Sequence, residues 1–96
     1  LNSYLEKIIN LLNSDLYFVN GYICITLFNI FKNNKNNRDI NIEKHINILK
    51  LYETKINTIK ILNNDIKINN NTNTDIIISI FMSHMASMLL NYIKLY

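Results

Sequence analysis

Proline and tryptophan are missing from this 96-residue chain, and it has one glycine, Gly21, and one cysteine, Cys24. Without proline, nothing breaks a helix from within. With Gly21 alone and no Gly-Lys-Ser/Thr, neither a Walker A phosphate loop nor a Gly-x-Gly-x-x-Gly turn can be built. A lone cysteine makes no intrachain disulfide, and Cys24 lies in an apolar run, where a small buried hydrophobe is its simplest role. His45 and His84 are far apart, and neither has a second ligand at zinc spacing. No metal, cofactor or catalytic residue is therefore assigned, and the chain reads as no enzyme in itself. The one catalytic arrangement left open, Cys24 with a histidine, would need an accessible thiol of low pKa.

Charge is sparse as well. Ten Lys plus Arg stand against seven Asp plus Glu, a net charge of +3. The excess is scattered instead of gathered in a block, so no nucleic-acid partner is expected. Asn33 to Arg38 (Asn-Asn-Lys-Asn-Asn-Arg) reads as a solvated loop. The length suits one domain with a modest core. The abundance of Asn, Ile and Lys points to an AT-rich coding genome. No cleavable signal or Arg-rich transit peptide is visible, and the start at Leu1 reads as that of a fragment.

What the chain does have is an apolar stretch, Asn20 to Phe31, broken only by Thr26 and Asn29 after Tyr22. Such a stretch needs neighbours on all sides, which predicts a central helix over 22–31 as the most buried element. Asn20 would be its N-cap, with Gly21 in the first turn. A rival reading is a hairpin turning at Asn20-Gly21, a pair that suits a type I′ turn. Consecutive apolar positions instead of alternation favour the helix.

Around this element the other segments fall at helical spacing. Ser3-Tyr4-Leu5-Glu6 has the form of a capping box, followed by Leu5, Ile8, Ile9 and Leu12 on one face. Asp15 to Val19 reads as a connector. A third helix is expected from Asn41, with Ile42, Ile46 and Leu49 inward. A fourth would be capped by Thr54 and carry Ile56, Ile59 and Leu62 or Asn63. The last would run from an Asp75 cap to about Leu90, with Ile78, Phe81, Met82, Met85 and Leu89 as its apolar face. Ser79, Ser83 and Ser87 form a stripe of small side chains on it. The fold class expected is all-α, a compact bundle of about five helices. Residues 1–68 form a first helical repeat, 69–74 an Asn-rich linker and 75–96 the start of a second repeat.

Leu16 to Phe28 (Leu-Tyr-Phe-Val-Asn-Gly-Tyr-Ile-Cys-Ile-Thr-Leu-Phe) resembles the Asn-Tyr-Ile-Gly-Thr-Glu-His-Leu-Leu-Leu-Gly-Leu-Leu segment in the N-terminal repeat domain of the Hsp100/Clp AAA+ unfoldases. Tyr17-Phe18 stands at that segment's Tyr-Ile, Asn20 at its Thr cap and Thr26 at its small residue. Ile48 to Ile56 is similar to the family's junction of third and fourth helices. Met85 to Ile93 resembles the end of a first repeat helix running again into Asn-Tyr-Ile, as a tandem repeat requires. Gly21 and Tyr22 replace the family's Glu and His, so recognition of cationic, modified-arginine tags is not carried over.

The resemblance implies a docking module for unfolded protein substrates or adaptor proteins, tethered to AAA+ rings that lie outside this chain. Tyr17, Asn20 and Tyr22 would be the rim of its binding surface. Together with the composition, it implies a plastid (apicoplast) Clp protein acting in the stroma, off the membrane. A different reading is a small organelle-encoded subunit of a membrane complex, anchored by Ile76 to Ile93. Three serines, a histidine and an asparagine in that span are unfavourable in hydrocarbon unless paired. With the second repeat cut short, the final helix has two outlets. It can fold back on the first repeat, or pair with a second copy across its serine stripe as a homodimer.

Overall fold

The computed structural model describes residues 2–69 and 73–96; the side chains of 17, 18 and 64–76 also lie outside the described set. Five α-helices are present among the described residues: α1 (Asn2–Asn10), α2 (Tyr17–Asn33), α3 (Ile42–Lys50), α4 (Glu53–Asn69) and α5 (Asn73–Lys94). A single 3-10 turn, Leu11–Asn13, follows α1. No described residue is in a strand. The expected all-α bundle is the fold.

The hairpin does not form. Helix α2 runs straight through Asn20-Gly21, and no residue there or elsewhere in the described chain has positive φ, which a type I′ turn requires. The apolar spacing decides this: Asn20, Ile23, Cys24, Leu27 and Phe31 fall on one side of a helix and are all buried. The opposite side carries Val19, Tyr22, Thr26 and Asn29, all exposed. The run is therefore amphipathic, and the expectation of burial on every side is corrected. The helix also begins earlier than expected. Leu16 occupies the N-cap without a side-chain cap, so residues 17–19 are helical and not a connector.

Three other caps fall inside their helices. Helix α1 is already formed at Asn2, which places Ser3 in its first turn. Thr54 and Asp75 likewise follow the observed starts of α4 and α5. Helix α3 starts where expected, and Asn41 proves to be its N-cap: Asn41 Oδ1 accepts from the backbone N–H of Lys44 at 3.1 Å. The Asn-rich linker is shortened from both ends, since Asn69 still belongs to α4 and Asn73 opens α5. The remainder, 70–72, lies outside the described residues.

Helix α5 folds back and lies against α2 and α4. It runs parallel to α2, since Gly21 meets Met82 near one end and Phe28 and Phe31 meet Tyr92 near the other. Its buried face is Ser79, Met82, Ser83, Met85, Ala86, Leu89, Leu90 and Ile93. Phe81, expected on that face, is 51% exposed. It sits one residue before Met82, so a turn of about 100° carries it toward the flank. Ser79 and Ser83 are buried within the chain and Ser87 is half-buried, so two of the three stripe serines pack inside the bundle.

A shared core joins all five helices: Leu5 and Ile9 of α1, Leu27 and Phe31 of α2, Ile46 and Leu49 of α3, Ile56 and Ile59 of α4, Leu89 and Ile93 of α5. Tyr92 stacks on Phe31 at 5.9 Å and meets Phe28 edge-on at 6.4 Å. Each such pair adds about 0.5–1.5 kcal/mol beyond the area it buries.

Gly21 marks a close contact between α2 and α5. A Cβ built on it would stand 2.6 Å from Met82 Sδ and 3.1 Å from Met82 Cγ. Met82 is fully buried and has little room to yield. In a free helix Gly→Ala gains about 1 kcal/mol. Here overpacking of about 1–3 kcal/mol opposes that gain. Gly21→Ala is expected to destabilise the fold by about 1 kcal/mol, read from urea unfolding; a rise in stability would show that the crossing is loose.

Candidate functional site

Of the three expected rim residues, Asn20 and Tyr22 do not share a surface. Tyr17 opens α2, but its side chain lies outside the described residues. Asn20 is fully buried and turns inward. Its Nδ2 donates to the Ser14 carbonyl at 2.8 Å, fastening the connector to α2, while its Oδ1 has no hydrogen-bond partner among the described residues. It is neither the cap nor part of a rim. Tyr22 is on the surface, 49% exposed, and its carbonyl accepts from Thr26 Oγ1 at 2.9 Å.

The groups that carry chemistry are dispersed. Cys24 is fully buried, and burial pushes its thiol up to about 12, so it stays protonated at neutral pH. His84 lies exposed on α5. His45 is buried in α3 and forms a clasp with α1. Asn2 Nδ2 donates to the Asp39 carbonyl at 2.9 Å, and Asn2 Oδ1 accepts from the Asn41 N–H at 3.0 Å. The same Oδ1 lies 3.0 Å from His45 Nε2, which must then carry the proton. His45 Nδ1 is left buried without a hydrogen-bond partner among the described residues. Burial lowers the pKa of His45 from its ordinary 6.5; Glu6 works against this and Lys44 with it. Glu6 and Lys44 pair with each other at 3.2 Å on the surface. No group of three or more His, Cys, Asp or Glu among the described residues is placed to hold a metal ion.

Two surfaces stand out instead. The first is the outer side of α5, where Ile77, Ile80 and Phe81 are 66%, 44% and 51% exposed. They fall at i, i+3 and i+4, one row on a helix. Between Asp75 and Lys94 the sequence has no Asp, Glu, Lys or Arg. The spacing was legible in the sequence, but both sides of α5 are apolar, so periodicity did not say which side faces water. The second surface is a groove of about 470 Å³ at the other end of the bundle, where the α2–α3 loop meets Tyr96. Tyr92 and Tyr96 hydroxyls lie 3.2 Å apart there. Burial, then the contact with Tyr96, raises Tyr92 to about 12.

Two outcomes follow from the buried groups. His45 folds as the neutral ring with a lowered pKa, so the unfolded chain binds its proton more tightly. Stability should be full above about 6.5 and fall as the pH drops below it, levelling once the folded ring is also charged. Urea midpoints measured across that range check this, and His45→Gln should flatten the slope. Cys24 should resist iodoacetamide in the native protein at neutral pH, reacting at least ~100-fold faster once urea unfolds the chain. Equal rates would mean that the thiol reaches solvent. Compared with known proteins, the chain matches no family model, no curated protein and no solved structure.

Proposed function

We propose that this chain is a helical protein-docking module, of the kind the Hsp100/Clp unfoldases carry at their N-termini. It takes hold of unfolded segments or adaptor proteins for ATPase rings outside these 96 residues, in a plastid stroma. The observation that carries this reading is the exposed row of Ile77, Ile80 and Phe81 on α5. Apolar surface left in water costs roughly 25 cal/mol per Å². A contiguous row of it on a folded domain marks an interaction surface. An uncharged helix face suits the apolar side chains that an unfolded segment exposes, or the apolar stripe of a partner helix. Tyr22 keeps its place on the surface, while Asn20 supports the start of α2 from within.

A second reading has an observation of its own. Ile77–Lys94 is long and apolar enough to cross a membrane by length and composition. Spanning would draw α5 away from α2 and α4 and uncover Met82, Leu89 and Ile93, which the bundle now buries. It would also place Ser79 and Ser83 in hydrocarbon. The docking reading leaves these side chains where they are.

The test is binding of a reduced, carboxymethylated protein, a permanently unfolded client, followed by fluorescence anisotropy. The wild-type chain should bind it, and Ile77→Asp with Phe81→Asp should weaken binding at least ~10-fold while circular dichroism stays helical. Unchanged binding in this variant would overturn the reading. Recovery of the chain in the detergent phase, and not in the aqueous one, would favour the membrane subunit.

A further inference from the structure

The groove between the α2–α3 loop and Tyr96 carries charge of one sign. Lys35 and Arg38 line it, both exposed, and neither has an ion-pair partner among the described residues. Asp39, the nearest acid in sequence, is not part of its lining. Other hollows are electrically mixed: one on α3 has Glu43 beside Lys44, and one between α4 and α5 has Glu53 beside Lys94. From Leu16 to Arg38 the sequence contains no acidic residue at all.

The loop that presents these cations is held in shape. Asn34 Nδ2 donates to the Ile30 carbonyl at 2.8 Å, closing α2. Asn37 Nδ2 donates to Asn34 Oδ1 at 3.3 Å, and Asn37 Oδ1 accepts from the Asp39 N–H at 3.0 Å. Further backbone bonds join Asn37 to Asn34 and Ile40 to Asn37. On the opposite wall Tyr96 is fixed from two sides: Lys50 Nζ donates to its carbonyl at 2.9 Å, and its hydroxyl meets that of Tyr92. Ile40 and Ile42 give the groove an apolar lining.

From this we infer that the groove is a second docking site, which takes an acidic peptide segment with an apolar side chain between its carboxylates. A guanidinium fork accepts a carboxylate with two parallel hydrogen bonds, and an ammonium adds a point charge beside it. The exposed amide of Asn36 can bond the peptide backbone, while the apolar side chain lies on Ile42 against the Tyr96 ring. Two cations over an apolar lining suit a peptide better than a nucleic acid, which needs a row of cations tracking its phosphates. A second copy of this chain, itself of net charge +3, is repelled by the same field. The inference deepens the docking reading and rests on it, because it names the chemistry of a partner. It uses a separate surface: Ile77 and Lys94, at the Tyr96 end of α5, are about 26 Å apart along the helix at 1.5 Å per residue.

The experiment uses a dye-labelled hexapeptide, Glu-Asp-Leu-Phe-Asp-Glu, with the whole chain, read by anisotropy at low and near-physiological salt. Saturable binding is expected that weakens with salt. Lys35→Gln with Arg38→Gln should weaken it at least ~10-fold and leave circular dichroism unchanged, since both side chains are exposed. The Ile77→Asp, Phe81→Asp variant should bind the peptide as the wild type does. No peptide binding, equal binding by the glutamine variant, or tighter binding of an oligouridine RNA through the same two residues would each overturn the inference. If the unfolded client still binds in those cases, the groove is refuted while the docking reading stands. If the client fails and the peptide binds, the groove stands and the α5 row is refuted.

Discussion

The close approach of α2 to α5 is the contact on which the rest of the bundle depends. Gly21 lets the two backbones come near enough for Met82 to fill the space a side chain would take. Because the helices run parallel from there, Phe28 and Phe31 arrive opposite Tyr92, which closes the far end of the core. Helix α4 then packs along α5, while α1 and α3 contribute Leu5, Ile9, Ile46 and Leu49 to the same core. A chain with one glycine has placed it at a helix crossing, where the need is for a missing Cβ and not for unusual backbone angles.

Asparagine carries much of the remaining structural work. In a chain without proline and nearly without glycine, loops and helix ends must be set by side chains that bond to the backbone. Asn41 caps α3, Asn34 closes α2, Asn37 ties the loop to itself, and Asn20 holds the connector before α2. Asn2 goes further and joins α1 to the start of α3 through Asp39, Asn41 and His45. Asn63 bonds its own helix, at Ile59, from a buried position. The surface ion pairs, Lys44 with Glu6 and Lys55 with Asp15, add little by comparison.

The same economy separates structure from surface. The titratable groups inside the bundle, Cys24 and His45, are held neutral by burial and serve packing or clasping. The surfaces left over are of two physical kinds, an uncharged apolar row on α5 and a cationic groove near Tyr96. They lie toward opposite ends of α5, which keeps the two surfaces apart.

How much of this was legible beforehand depends on the residues asked about. Length, missing proline and 3.6-residue spacing determined the all-α class, the inward Leu5, Ile9, Ile46, Leu49, Ile56 and Ile59, and the start of α3 at Asn41. Local rules suffice there, because each helix has one apolar side. They failed where a segment is apolar on more than one side or polar residues have long-range partners. Phe81 was placed in the core although it faces water, and Asn20 was read as a cap and a rim residue although it is buried. Only tertiary packing decides between two apolar sides of α5, since the choice rests on which side α2 and α4 cover. Ser79 and Ser83 went inside because small side chains let helices approach, and Gly21 faced Met82 for the same reason. The groove was invisible to sequence reading because Tyr96 and Arg38 are 58 positions apart (96 − 38) and meet only when α5 returns to the end of α2.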